Sequence, residues 1–464
     1  MSKKEKLHGK DLAVLGYENN ELRSLAMLIV GRLYKHDGKE KQIEVLKDLM
    51  LNPENYLMHP ELSPIVNKIL EIEKDTPKYI FEDKAYEIYG EEGIDKSAQD
   101  QMKQAMSLPI SVGGALMPDA HHGYGLPIGG VLATENAIIP YGVGVDIGCR
   151  MCLSVFEAKG EWLNSKKNEF KKILEQNTKF GDGYFDDNKR DDDFFDRAEF
   201  GELAILQHLK DRAFKQIGSS GGGNHFVEFG LVEVGEGDAA LGLAPGKYIA
   251  LLSHSGSRGF GANIAGYYTD LARKKRKLPK QFEHMSWLHM DEAEGQEYWL
   301  AMNMAGDYAS ACHHHIHKRI GKVLGYDTIL RVENHHNFAW KDTMPDGREV
   351  YIHRKGATPA KVGELGIIPG SMTLPAFIVK GKGHPNALYS ASHGAGRLMS
   401  RTKASAQFTH KMMRDELERH GVELIGGGLD ESPFAYKNIH EVMKAQNELV
   451  EVIGSFYPKI VRME

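Results

Sequence analysis

Over the first 80 positions apolar residues recur at helical spacing. Leu22, Leu25, Ile29 and Leu33 fall on one helix face, and Ile43, Leu46 and Met50 continue the pattern on a second. This predicts an N-terminal helical extension over residues 1–80, with no chemistry of its own. Asp75-Thr76-Pro77 marks its end, because proline disfavours helix both at itself and at the residue before it. From residue 81 the pattern changes. Short apolar and β-branched runs, such as residues 248–252 and 377–379, alternate with glycine turns and longer helices. The fold class this predicts is α+β, with a single large catalytic domain over residues 81–464. Residues 291 to about 321 read as a long helix, and Ile439, Val442, Leu449 and Ile453 as another near the C-terminus, both packed outside the strands. Residues 181–196, rich in aspartate with aromatics interspersed, read as a solvated insertion loop.

Composition narrows the class. Of the 464 residues 41% are hydrophobic and 26% charged, and every apolar run is broken before it could span a membrane. No membrane partner is expected. The basic N-terminus leads into Leu7-His8-Gly9 rather than the continuous apolar stretch of a secretory signal. Cys149, Cys152 and Cys312 are too few, and odd in number, for a disulfide framework. A cytoplasmic protein is the expectation. With a net charge of -6, any nucleic acid must be held by local basic patches rather than by the overall field. The 50 glycines change the picture, because many sit in short runs beside His, Asp and Ser, where bare backbone can approach a ligand.

The sharpest such run is Gly142-Val143-Gly144-Val145-Asp146-Ile147-Gly148-Cys149, which places a carboxylate and a thiol three residues apart on a flexible turn. A soft and a hard ligand together suit Zn²⁺, Mn²⁺ or Fe²⁺ better than Ca²⁺ or Mg²⁺. By itself the run is more simply a buried cysteine in a turn, and Cys149-Arg150-Met151-Cys152 lacks the second pair that a Cys₄ zinc site needs. Histidines in comparable settings strengthen the metal reading: His225 after Gly221-Gly222-Gly223-Asn224, His254 in Ser-His-Ser-Gly-Ser-Arg258, and His335-His336 in Asn-His-His-Asn. Phosphate-binding candidates follow in sequence: Arg258, Arg354, Lys355, Arg397 and Arg401. Each taken singly would be a solvated surface charge. His393, in Ser392-His393-Gly394-Ala395-Gly396-Arg397, lies beside one of them and could attack a nucleotide phosphorus.

Taken in order, M-P-D-A-H-H-G, V-G-V-D-I-G-C, G-G-G-N-H-F-V-E, H-S-G-S-R-G, H-H-N, H-R-K-G-A-T, P-G-S-M and S-H-G-A-G-R resemble the motifs of the RtcB-type RNA ligases, from about residue 100 to the C-terminal tail. The resemblance implies one large α+β fold, two Mn²⁺ ions and GTP. It implies joining of RNA 3′-phosphate or 2′,3′-cyclic phosphate ends to 5′-hydroxyl ends, in tRNA splicing or RNA repair, with an archease-like activator as a further partner. It implies one metal on Asp146, Cys149 and His225 and a second on Cys149, His254 and His336. His393 matches the histidine that is guanylylated. Asn224, Glu228, Ser371 and Tyr436 match positions that hold the guanosine nucleotide, Arg258, Lys355 and Arg397 neutralise phosphates, and Asp119 belongs to a motif tied to activity.

The chain departs from the pattern at Arg150, where the family usually has Gly, a bulky cation that could alter access to the metals. It departs also at its end, Val461-Arg462-Met463-Glu464, where Lys-Gly is common, so that Arg462 replaces a lysine near the guanine. The first 80 residues lie largely outside the resemblance. His313-His314-His315-Ile316-His317 reads as a solvated or RNA-facing helix surface rather than a metal tract, and His121, His122 and His335 as supporting residues. Aromatics are scattered without the spacing of a stacking platform. Two other functions fit the same residues: a metal-dependent phosphoesterase acting on RNA ends, and an inactive RNA-binding paralogue.

Overall fold

A computed structural model describes residues 6–17, 19–75, 79–185, 192–235, 241–344 and 346–464. The chain forms two compact units, Met1–Tyr79 and Ile80–Glu464. Thr76 and Pro77, where the sequence suggests a junction, lie outside the described residues.

The first unit is helical. Helices Gly9–Val14, Asn20–Leu33, Lys39–Leu51 and Ser63–Asp75 surround a small core that includes Leu12, Leu22, Val30, Leu46 and Ile65. Asn19 caps the second helix by accepting from the backbone N–H groups of Glu21 and Leu22, and the Tyr17 hydroxyl donates to the Leu46 carbonyl at 2.9 Å.

The second unit is α+β, as the pattern predicts, and is organised by two sheets. The larger, eight-stranded sheet runs in the order Leu365–Ile368, Ala376–Gly381, Val450–Arg462, Phe226–Val234, Gly246–Ser255, Arg150–Lys159, Thr328–His335, with Glu423–Ile425 paired alongside Val450–Arg462. Its Gly246–Ser255 strand is buried on both faces. Ala250 and Leu252 join one core with Leu153, Val332, Ile367 and Ile378, whereas Ile249 and Leu251 join another with Phe170, Ile316 and Ile320. The first core lies within the curl of the sheet, whose two edges are clasped by Asn334: its side chain accepts from Ile367 N at 2.9 Å and donates to Ile367 O at 3.2 Å. The second core is roofed by helices, above all Ala293–Leu324, which ends at Gly325 in the left-handed conformation. The smaller, five-stranded sheet contains Ser111–His121, Ile128–Thr134, Glu349–Lys355 and Asn337–Thr343. Consecutive strands Thr328–His335 and Asn337–Thr343 belong to different sheets, so His336 sits at their junction.

Two expectations are corrected. Leu449 and Ile453 are not helical: the helix is Ile439–Lys444, and Val450–Arg462 is a 13-residue strand. Strand pairing on both sides of this segment overrides its helical spacing. In the acidic stretch, residues 186–191 lie outside the described residues, but Phe194 and Phe195 are buried against Phe200, Phe260 and Tyr308 rather than solvated. Among the described residues no helix is long and apolar enough to cross a membrane.

Candidate metal centre and adjoining cavity

Antiparallel register gathers the candidate ligands at one end of the large sheet. Arg150 pairs with both Ser255 and His335, and Phe226 pairs with His254. Cys149, just before Arg150, therefore meets His225, just before Phe226, together with His254 and His336. The turn carrying Asp146 needs its glycine: Gly148 has φ 70, and a Cβ there would lie 2.7 Å from the Gly306 Cα.

Cys149 Sγ lies 3.3 Å from His225 Nε2 and 3.2 Å from His254 Nε2. His254 Nε2 is 3.2 Å from His336 Nε2, and Asp146 Oδ2 is 3.0 Å from His225 Nε2. The other Asp146 oxygen accepts from Ser257 N at 3.1 Å, and Gly256 passes so close that a Cβ would collide with the carboxylate. The donor set fits divalent metal. Ligand atoms bonded at about 2.1 Å around a tetrahedral ion stand about 3.4 Å apart, close to the spacings observed. His254 donates its Nδ1–H to the Asn224 carbonyl at 3.1 Å, which leaves the Nε2 lone pair free to ligate. Burial holds His254 and His336 well below the ordinary imidazole value, in the neutral form a metal requires, and pushes the Cys149 thiol up, so that a cation must displace its proton. For Asp146 burial acts to raise the carboxyl, but hydrogen bonding to His225 and Cys149 leaves it lowered.

Against this centre lies His393, its ring centroid 4.9 Å from that of His336. Its Nδ1–H donates to Asp119 Oδ2 at 2.6 Å, and the same oxygen accepts from the backbone N–H of His393 at 3.2 Å. Asp119 is fully buried and held on both sides by Lys437, whose ammonium donates to the carbonyls of Pro118 and Ala120 at 3.1 and 2.8 Å. His393 Nε2 is thereby left with its lone pair, the arrangement of a nucleophilic or basic imidazole.

A cavity of about 280 Å³ opens beside His393 and His254. Asn224, Glu228, Ser371, Arg397 and Tyr436 all line it, with apolar walls from Phe226, Met372, Val461 and Met463. Burial pushes the Glu228 carboxyl well above its ordinary value. Arg397 is engaged by Glu431 at 3.3 Å, the Tyr436 hydroxyl at 3.3 Å and the Asp430 carbonyl at 2.6 Å. Glu431, buried at 2% exposure, also takes Arg401 and the Tyr436 hydroxyl. Neither Glu431 nor Lys437 is distinguishable in sequence from an ordinary surface charge; only their burial marks them.

Of the other candidates, His121 lines the cavity; Arg462, Arg258, Lys355, Arg354, Arg150 and His335 lie outside it. Arg462 alternates with Val461 and Met463 along its strand, so its side chain points the other way and donates to the Leu174 carbonyl at 2.6 Å beneath Phe180. Arg258 is engaged with the Gly181 carbonyl and with Ser219 Oγ at 3.4 Å. Lys355 is buried beside Tyr124 and Tyr141, its ammonium pulled down by burial to about 7. Arg354 is a structural cation, buried over Trp340 and bonded to Ser390 Oγ at 2.7 Å. Arg150 is engaged away from the candidate ligands, by Glu333 at 3.2 Å and the Gly306 carbonyl at 3.1 Å. His335 stacks on Trp340.

The reading of the histidine tract is corrected in part, since His314 is exposed as expected. His313 and His317 are buried, facing the sheet rather than solvent or RNA. With Cys152 they form a second metal-compatible group, yet both rings are fully hydrogen-bonded without an ion. Ser253 Oγ lies 2.6 Å from His313 Nδ1 and 2.7 Å from His317 Nε2, while Ser255 O and Ser154 Oγ take the remaining nitrogens.

Fold and site together define an α+β protein with a candidate Cys/His/Asp metal centre at the mouth of a nucleotide-sized cavity. The model of the family described as tRNA-splicing ligase RtcB matches residues 101–203 and 187–464, and the chain belongs to that family. It is 33% identical over 399 residues to the RNA-splicing ligase RtcB of Escherichia coli K12, covering 78% of this chain and 92% of that one. To the tRNA-splicing ligase RtcB of Thermococcus kodakarensis it is 29% identical over 469 residues, covering 84% and 96%.

Proposed function

We propose that the protein is a GTP- and Mn²⁺-dependent RNA ligase that joins RNA 3′-phosphate or 2′,3′-cyclic phosphate ends to 5′-hydroxyl ends, in tRNA splicing or RNA repair. The observation that carries the reading is the Asp119–His393 pair, in which the carboxylate holds the Nδ1 side of a ring that lines the cavity beside the donor cluster. His393 Nε2 attacks the α-phosphorus of GTP, a P–N bond forms and pyrophosphate leaves. A 2′,3′-cyclic end is first opened by water at its P–O2′ bond to give a 3′-phosphate and a 2′-hydroxyl; the RNA 3′-phosphate then takes the guanylyl group from His393, and the 5′-hydroxyl displaces GMP as the new phosphodiester closes. Asp119 orients the ring and stabilises its positive charge in both transfers. Asn224, Glu228, Ser371 and Tyr436 supply polar contacts in an apolar-walled cavity of a size suited to the nucleotide. Asp146, Cys149, His225, His254 and His336 would hold two metal ions, which when bound supply Lewis acidity to phosphate oxygens.

The test is incubation with Mn²⁺ and GTP labelled at the α-phosphate, beside His393→Ala, followed by denaturing separation. An acid-labile label on the wild type alone supports ligation. Metal-loaded protein that takes no label under any divalent ion would sink the reading in favour of a phosphoesterase or an inactive paralogue.

A further inference from the structure

Three rings from separate segments meet on the rim of this centre. Tyr124, 67% exposed, stands on the turn that follows Asp119 and His121. Its ring meets His284 at 5.9 Å and 60°, and His284 lies against Tyr141 at 4.9 Å and 31°. Lys355 joins them from beneath, donating to the Tyr124 carbonyl at 2.5 Å with its ammonium 5.1 Å from the Tyr141 ring centroid. The group borders the site on two sides. Tyr141 lies on the helical turn leading to Asp146, and Gly356, next to Lys355, runs so close to His393 that a Cβ would stand 3.2 Å from its Cε1.

A basic tract leads to the same rings. Residues 273–280 carry six cations and no acid. Lys275 and Arg276 are engaged by Glu292 and Glu294, and Arg273 by His284 at 2.6 Å. Lys274, Lys277 and Lys280 are exposed, and no ion pair joins them to the described residues. Lys280 opens the 3₁₀ helix Lys280–Met285 that bears His284. At about 2 Å per residue, its Cα stands about 8 Å from that of His284 along the axis.

We propose that this rim is the track for the single-stranded RNA that leads to the reacting end. Lys277 and Lys280 take backbone phosphates, and the exposed face of Tyr124, backed by His284 and Tyr141, stacks an unpaired base. The proposal rests on the ligase reading. A single strand is the occupant the chemistry favours, because an exposed ring can stack only on a base already free of its own helix, while the unpaired ammoniums need a repeating anion.

The full chain would be titrated into fluorescently labelled single-stranded and duplex RNA across a range of salt, as wild type, Tyr124→Ala and the double variant Lys277→Glu/Lys280→Glu. GMP labelling of His393 would be measured in the same preparations. We expect Tyr124→Ala to weaken single-strand binding about tenfold with little effect on duplex. The charge reversal should flatten the logarithmic salt slope by about 1.4, at about 0.7 for each phosphate that is no longer neutralised. Labelling should persist in both variants. Unchanged single-strand affinity and salt slope in both, or a wild type that takes GMP yet binds no RNA, overturns the track alone. Loss on both RNAs from the charge reversal, with none from Tyr124→Ala, makes the surface a general anion patch and overturns the stacking. A wild type that neither binds RNA nor takes GMP overturns the ligase reading as well.

Discussion

Buried Asp119 and part-buried His393 form one unit: a single carboxylate oxygen accepts both the ring Nδ1–H, at 2.6 Å, and the backbone N–H of His393, at 3.2 Å. The contact fixes the tautomer as well as the position of the ring. Asp119→Asn keeps the shape but removes the charge that stabilises an imidazolium during transfer. Guanylylation of His393 should slow by about 10²–10⁴-fold, against complete loss in His393→Ala. Single-turnover labelling distinguishes the two. Full-rate labelling of Asp119→Asn would show that the carboxylate serves only the fold.

Cys149 touches both His225 and His254, so its removal should disable the whole cluster rather than one half of it. In wild type, Mn²⁺ at a hundredfold excess over its Kd should stabilise the fold by about 2.7 kcal/mol. Cys149→Ala should show little of this, and elemental analysis should find less bound metal. Equal metal-dependent stabilisation in the variant would remove the thiol from the ligand set.

The His-Arg-Lys motif at residues 353–355 makes a different prediction, one of pH. His353 is fully buried. Its Nε2 accepts from Ile139 N at 2.9 Å, and its Nδ1–H faces the Leu132 and Tyr351 carbonyls. Burial holds it down to about 4. Because the folded value lies below the unfolded one of about 6.5, the unfolded chain binds the extra proton first. Stability is therefore full above about 6.5 and is lost as pH falls toward 4, with a slope of up to about 1.4 kcal/mol per unit from this group. Urea unfolding at several pH values, compared with His353→Gln, should show the variant's acid dependence to be shallower. Parallel curves would assign the acid loss to other buried groups.

This motif also shows where sequence runs out. Residue type and glycine context raise Cys149 and His254 as candidate ligands, but it is the family resemblance that makes them a ligand set and separates His336 from His335. Residue type alone does not separate Lys355 from Arg354, which differ by one position and therefore by sheet face; only the family resemblance picks out Lys355. One is buried beneath the rim aromatics; the other is locked over Trp340. The five-residue histidine tract failed similarly, since helical spacing states which residues share a face but not whether that face meets solvent or a sheet. Tyr124, Tyr141 and His284 are too far apart in the chain for any spacing rule to join them. Ile453 keeps helical spacing but lies in a strand that long-range pairing holds extended, and Leu449 falls in the turn just before that strand.

Arg150, where a cation follows the cysteine, offers a test of what that departure does. From sequence it could crowd the metals. Its guanidinium instead reaches Glu333 and the Gly306 carbonyl, and Glu333 in turn accepts from His314 and from Ser310 Oγ. Burial acts to raise the Glu333 carboxyl, but hydrogen bonding to His314 and the nearby charges of His314 and Arg150 bring it down to about 2. The side chains of Arg150 and Glu333 are only 10% and 21% exposed, so removing one leaves the other poorly solvated. Arg150→Gly should therefore cost stability, about 3 kcal/mol by analogy with other broken buried pairs, while leaving metal content and His393 labelling near wild type. Arg150→Gly/Glu333→Gln should recover part of the loss, because the uncompensated carboxylate is gone. Denaturant unfolding gives the first quantity and elemental analysis the second. A variant of unchanged stability but altered metal content would mean that Arg150 acts on the metal centre after all.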